Sequence, residues 1–297
     1  MKRMIGSGLA VGLLALAVPA GASGTVSVTS TTRTGDTLRA SGGSTFAAQP
    51  YLTVGTDASG DAPDGWQQTG GDLVKAEISG TLEDTLRFRV TVDQMLALVA
   101  GFPAYQFGWN FCVSGGSCYE LNLTRVKADM ANNTAAAPPH WYLFRCGNEQ
   151  CTPANQIRVA DGQAQVFQSD RTYIATVPML SMGARPGDVI TPKAVDAKGP
   201  VFSAFGAPYP TQMQRGSGDG IETVAPYRIP KREVSVAVDA PGQAPDSVGY
   251  TTTVTPAATG AWSATFDVFG RSGAHAVYAK ACFGENNCAY AQAPVTL

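Results

Sequence analysis

The sequence predicts an all-β protein of two sandwich domains, on three observations. Gly and Pro account for 52 of the 297 residues, and the acidic set is 16 Asp against seven Glu. Asp, Gly and Pro make turns, whereas Glu and Lys build exposed helix faces. Short strand-like runs also recur along the chain, each cut off by a turn cluster. Finally, no long helical segment separates these runs, so neighbouring strands connect as antiparallel hairpins.

The chain opens MKRMIGSGLAVGLLALAVPAGASG. Lys2 and Arg3, the apolar run from Ile5 to Pro19 and the small-residue site Ala20-Gly21-Ala22 read as a secretory signal peptide over residues 1–22. The run is too short to span a bilayer, and no second apolar run of about 18 residues follows. Residues 23–48, rich in Ser, Thr and Gly, read as a flexible leader with at most one edge strand. From "PYLTVGTDASGDAPDG" onward, nine strand-like runs build a first sandwich over 49–229, among them DLVKAEIS, TLRFRVTV, AYQFGWNFC and TYIATVP. "VDQMLALVAGF" and "VPMLSMGARPGD" are the two short helical turns expected. Pro226 and Pro230 in "APYRIPKREV" mark a boundary. Five further runs from EVSVAVD to CAYAQAPVTL predict a second, smaller sandwich of immunoglobulin type over 230–297.

Without Lys2 and Arg3, 19 basic residues face 23 acidic ones. That mild acidity argues against a nucleic-acid binder built on phosphate neutralisation. It argues equally against a polybasic membrane-surface binder.

Six cysteines fall in three close pairs: Cys112 and Cys118, Cys146 and Cys151, Cys282 and Cys288. None has the C-x₂-C spacing of a zinc knuckle or a thioredoxin-type redox site. Each pair flanks a short turn between strand-like runs, where facing residues lie at disulfide distances. Of the 15 pairings that six cysteines allow, three local bridges is the economical one, and exported proteins keep such bridges.

Strand parity puts Tyr105, Phe107, Trp109 and Phe111 on one face of "AYQFGWNFC" and Gln106, Gly108, Asn110 and Cys112 on the other. Across the turn, Cys118, Glu120 and Asn122 share the cysteine face. This turns the aromatic stripe to the core and the cysteine face outward. The competing reading makes Tyr105 and Trp109 an exposed sugar-stacking platform. Tyr278 and Tyr290 beside Lys280 form a second candidate binding face, or else an ordinary solvated one.

Asp57, Asp61 and Asp64 crowd "TDASGDAPDGW", Asp72 follows, and Asp219 is a distant residue able to fold back. Calcium takes six to eight oxygens, so Asp57, Asp61, Asp72 and Asp219 are the candidate structural calcium ligands, against the plain alternative of turn residues. The catalytic inventory is thin. The chain has two histidines, His140 and His275, and no G-x-S-x-G, H-E-x-x-H or P-loop motif. The sequons at Asn122 and Asn132 matter only in a glycosylating secretory pathway.

"TVGTDASGDAPDG…DLVKAEIS…TLRFRVTV", "TYIATVPMLSMGARPGDVI" and "GDGIETVAPYRI" resemble secreted bacterial β-sandwich modules of the DOMON and family-9 carbohydrate-binding type. That resemblance implies ligand or surface binding, with a structural calcium near the Asp-rich first loop. The cysteine hairpins and "NNTAAAPPHW" depart from the family pattern. "YTTTVTPAATGAWSATFDV" and "GAHAVYAKACFGENNCAYAQAPV" resemble bacterial Ig-like domains, which implies Trp262 in the core and a spacer or presenting role. The expected protein is thus exported and non-catalytic. It binds a glycan, a cell-envelope component or another extracellular ligand. The alternatives are a secreted hydrolase with an Asp/Glu acid–base pair, or a purely structural cell-envelope component.

Overall fold

A computed structural model of the chain describes residues 24–46, 49–59, 72–81, 83–95, 104–126, 138–149, 151–152, 154–198, 219–222, 224–257, 259–283 and 288–297. The signal-peptide reading of residues 1–22 lies outside these residues. The fold is all-β. The chain forms two units: one runs from Pro50 to Ile229, and the other is built from both flanks, up to Gln49 and from Pro230 onward.

The flanking unit, hereafter the host, contains β1 (Thr25–Thr34), β2 (Thr37–Thr45), β15 (Arg232–Asp239), β16 (Thr252–Val254), β17 (Ala261–Asp267), β18 (Ala274–Phe283) and β19 (Cys288–Thr296). One sheet runs β1-β2-β17 and the other β16-β15-β18-β19, all antiparallel. Read in chain order, this is A-B-E against C′-C-F-G, the immunoglobulin arrangement. Leu38 and Ala40 of β2 and Trp262, Ala264 and Phe266 of β17 close the core against Val234, Val236, Val277 and Ala279 of the other sheet.

Two expectations change here. The segment read as a flexible leader is a β-hairpin, turned at Gly35 with φ 59°. The immunoglobulin-type sandwich takes two strands from that hairpin and is not confined to 230–297. Ser and Thr suggested solvation, but β2 pairs with β17 more than 200 positions away, and that long-range pairing fixes the hairpin. The Pro50–Ile229 unit is therefore inserted between the second and third host strands.

The inserted unit contains β3 (Leu52–Thr56), β4 (Leu73–Gly80), β5 (Thr85–Val92), β6 (Ala104–Val113), β7 (Cys118–Val126), β8 (His140–Cys146), β9 (Gln156–Gln163), β10 (Gln165–Phe167), β11 (Thr172–Pro178), β12 (Val189–Lys198), β13 (Gly220–Ile221) and β14 (Tyr227–Arg228). Of the two short helical turns expected, a 3-10 turn forms at Met179–Met182, and most of the other segment lies outside the described residues. A five-stranded sheet, β10-β11-β5-β4-β3, faces a seven-stranded one, β13-β12-β6-β7-β8-β9 with β14 on β12.

The core between them is aromatic. Phe88 of β5 meets Trp109 edge-on at 5.3 Å and stacks on Phe111 at 5.1 Å, and Phe107 meets Tyr173 at 4.7 Å. Such pairs add to the area their rings bury. The alternation of β6 turns Phe107, Trp109 and Phe111 inward together, as strand geometry requires.

Candidate functional site: the polar face of the seven-stranded sheet

The other face of that sheet is a register-aligned grid. Asn110 of β6 pairs with Glu120 of β7 on one side and Ala194 of β12 on the other, and Glu120 pairs in turn with Phe144 of β8. One row along, Asp196, Gly108, Asn122, Tyr142 and Asp161 stand side by side across five strands. The next row holds Lys198, Gln106, Thr124, His140 and Gln163. At the opposite end Cys112, Cys118 and Cys146 stand in line.

Parity predicts this face but not its depth. Gln106, Asn110, Glu120 and Asn122 are all less than a tenth exposed, with Asn110 at 8% and Glu120 at 7%. Expected to turn outward, the polar face is buried at its centre. Amides and carboxylates are rarely buried without partners, because removing them from water is costly. Towards β8 and β9 the face opens, with Tyr142 half-buried and Arg158 and Asp161 exposed.

Asn110 occupies the middle. Its Nδ2 donates to Asp196 Oδ2 at 3.4 Å, and that carboxylate fixes which way the amide lies, since the reverse orientation would set oxygen against oxygen. Its Oδ1 then points away, buried and without a hydrogen-bond partner among the described residues. On the open side, His140 stacks on Tyr142 at 6.3 Å and 17°, and the Arg158 guanidinium lies 5.8 Å from the same ring. His140 Nδ1 sits 2.8 Å from the Pro138 carbonyl. A carbonyl only accepts, so Nδ1 carries a proton.

The cysteine end is locked. Cys112–Cys118, Cys146–Cys151 and Cys282–Cys288 are all disulfides, the three local bridges expected. The first two touch, through Cys118 and Cys146 in register on β7 and β8. Each closes its own connection, β6–β7 or β8–β9, and the two bridges pack against each other at one edge of the polar face. Three bridges fit an oxidising, extracellular setting. Among the described residues no helix is long and apolar enough to cross a membrane.

The other candidates fare differently. Trp109 is fully buried between the sheets, so it is no sugar platform; its Nε1 lacks a partner among the described residues. Tyr105 lies in β6, and its side chain is outside the described set. Tyr278 is also fully buried. Its hydroxyl donates to Ala240 O at 2.8 Å and accepts from Gln243 N–H at 3.0 Å, which makes it a loop anchor rather than a ligand contact. Tyr290 is half-buried, with Lys280 Nζ 5.7 Å from its ring. The sequon residue Asn122 sits inside the sheet face, and Asn132 lies outside the described residues.

Of the calcium candidates, Asp61 lies outside the described residues. Asp219 accepts from the Leu73 N–H and, at 2.9 Å, from the Gly220 N–H. Burial pushes its carboxyl up to about 6, aided by the negative charges of Asp57 and Asp72 and opposed by those two hydrogen bonds. The three carboxylates are thus electrostatic neighbours. Even so, among the described residues no group of three or more His, Cys, Asp or Glu side chains converges as a metal site.

Sequence reasoning passed over Asn110, Glu120, Asp196 and Tyr142 as site residues. The only signal for the first two was the polar parity of β6 and β7, and β12 and β8 carried none.

No protein-family model matches the sequence, and no curated protein does. A solved structure, a tetra-tandem repeat in the extending region of a large adhesion protein, aligns over 92% of this chain and 98% of its own at 11% identity. Its TM-score is 0.22, too low for the two backbones to share a common trace.

Proposed function

We propose that this is an exported, non-catalytic binding protein whose inserted sandwich takes a glycan of the cell envelope or surroundings on its polar sheet face. The immunoglobulin-type host carries and presents that sandwich. One observation carries the reading: Asn110 Oδ1, buried at the centre of a face of amides and carboxylates, has no partner among the described residues. An acceptor left so forfeits the hydrogen bonds it had with water, and a ligand hydroxyl or amine restores one. Planar amides and carboxylates beside an aromatic rim suit a polyol, whose hydroxyls need paired partners and whose C–H faces lie against rings. The secretory start of the sequence and the three disulfides support export.

A glycan array on the mature protein, followed by titration calorimetry, tests this. Asn110→Ala and Tyr142→Ala should each weaken the best ligand about tenfold or more while leaving circular dichroism unchanged. Failure of every glycan and cell-wall fraction to bind would sink the reading. Hydrolysis of the bound glycan would instead make Glu120 and Asp196, which flank Asn110, the acid–base pair of an enzyme.

A further inference from the structure

Four of the six cysteines form one cluster, in which two disulfides pack against each other. Cys112, Cys118 and Cys146 stand in one ladder row across β6, β7 and β8. Cys112–Cys118 joins a directly opposed pair, with Cα atoms 3.9 Å apart, as Cys282–Cys288 does at 4.1 Å. Cys146–Cys151 instead leaves the ladder for the β8–β9 connection, since the residue opposite Cys146 on β9 is Gln156. Cys146 therefore has a second sulfur opposite it, that of Cys118, to which it is not bonded.

The phase of the backbone hydrogen bonds fixes how these two stand. Val113 N–H donates to Ser117 O, so Cys112/Cys118, one pair further on, is not hydrogen-bonded and the Cys118 backbone turns to β8. Gly147 N–H donates to Asn155 O, and the same alternation turns the Cys146 backbone to β7. Cys118/Cys146 is thus a hydrogen-bonded pair, whose Cα atoms lie about 5.5 Å apart. Disulfides most often span about 5.5–6 Å between Cα atoms. Access differs within the cluster: Cys112 is partly exposed, while Cys118, Cys146 and Cys151 are less than a tenth exposed.

We infer that the cluster is a thiol-exchange relay: a small-molecule thiol attaches at Cys112, and the protein's own bridge moves to Cys118–Cys146. The incoming thiolate attacks Cys112 Sγ and forms a mixed disulfide, and the electron pair of the Cys112–Cys118 bond leaves on Cys118. Cys118 Sγ then attacks Cys146 Sγ, the cross-strand bond forms, and Cys151 leaves as a thiolate that takes up the proton of the incoming thiol. One thiol and two disulfides enter, and one thiol and two disulfides leave, so nothing is oxidised or reduced overall. The exchange releases the β6–β7 turn and the β8–β9 connection and staples β7 to β8 instead, at the edge of the polar face. The new bridge closes a longer loop than either bridge it replaces, which constrains the unfolded chain more.

The test uses the mature full-length protein without denaturant, incubated with free cysteine at about pH 8.5, where about half of a free thiol is ionised. The mixture is quenched in acid, alkylated and mapped by mass spectrometry. The expected result is a cysteine adduct on Cys112, a Cys118–Cys146 cross-linked peptide and an alkylated Cys151, rising together. Cys282–Cys288 is the internal reference, since the host holds no other cysteine and its adduct can leave only its own partner as the thiol. A Cys112 adduct with Cys118 alkylated and Cys146–Cys151 intact would overturn the relay, as would a first adduct on Cys151 or no reaction in this cluster at all. Cys112–Cys146 or Cys118–Cys151 links would mean scrambling through the unfolded chain and would equally overturn it. In Cys112→Ser, which leaves Cys118 as a thiol, Cys146 should divide between Cys118 and Cys151; a map holding only Cys146–Cys151 would contradict the relay. Should that variant fail to fold, Cys151→Ser carries the mirror expectation, with Cys118 dividing between Cys112 and Cys146.

Discussion

In the inserted unit Trp141 of β8 lies across Gly162 of β9, its ladder partner; in the host Trp262 of β17 lies across Gly42 of β2. At each glycine a Cβ would come within 2.7 Å of the indole ring. Both sandwiches thus seat a large ring over a neighbouring strand by giving up a side chain there. They part company on their second faces. The host's four-stranded sheet packs Tyr278 and Tyr250 against Val248 and Ala237 beneath a loop, a small apolar cluster with its hydroxyls bonded to backbone. The inserted unit's seven-stranded sheet buries amides and carboxylates instead. The contrast teaches that apolar faces hold the fold in both units, while only the inserted unit also buries a broad polar sheet face.

Perturbations to each side sharpen this. The largest effect belongs to Trp109→Ala, a cavity in the aromatic core expected to cost about 3–5 kcal/mol. Hydrogen exchange read by mass spectrometry should show faster opening throughout β4 to β7 and none in β17 to β19. Trp109→Phe, which also deletes the unpartnered indole N–H, should cost far less.

Next comes Gly42→Ala. Its new methyl would meet backbone of Ser27 as well as the Trp262 ring, and backbone cannot swing away. About 3 kcal/mol, the upper range for overpacking, is expected in the host alone. Equal loss of protection in both units would break the comparison.

Asp219→Asn should act through pH. Folding raises the Asp219 carboxyl from 3.8 to about 6, so the folded protein holds that proton more tightly than the unfolded chain does. The stability this contributes is fully present below about pH 4, is lost as pH rises through about 6, and stays lost above. Melting curves between pH 4 and 7 should therefore fall more steeply for the wild type than for Asp219→Asn. The wild type should lose ground to Asp219→Asn as pH rises, by well under the unscreened linkage limit because solvent screens a partly exposed carboxyl. Parallel lines would show that Asp219 titrates normally.

The smallest effect should be Gly162→Ala. Its methyl meets only the Trp141 side chain, which can tilt, so a cost of about 1–2 kcal/mol confined to the inserted unit is expected.

The sequence made strands such as β5 legible because their alternation is strict. Leu86, Phe88, Val90 and Val92 all face the core, and the same rule aligned Phe107, Trp109 and Phe111. It also showed the polar side of β6 and β7, but period-two parity assigns a face and says nothing of what lies above it. The host's first hairpin was misread because Gly42 and Gly43 weaken strand propensity, and the tertiary reason for Gly42, the Trp262 ring, lies far down the chain. A signal was present: the Thr34-Gly35-Asp36-Thr37 turn separates Val26 and Val28 from Leu38 and Ala40. Asp196 and Tyr142 could not be placed, since their membership depends on which strands neighbour β6 and β7, and strand order is a long-range property.

The insertion has a mechanical consequence. The crossover points lie close together at one end of the host: Phe46, just past β2, has its ring 6.3 Å from Phe283, and Arg232, where β15 begins, pairs with that same Phe283. The host's own outer strands in sequence, β1 and β19, belong to its first and last segments. Tension drawn along the polypeptide from either flank is therefore borne by the host. It bypasses the inserted sandwich until the host unravels, and a single proteolytic nick at either crossover leaves that sandwich tethered by the other.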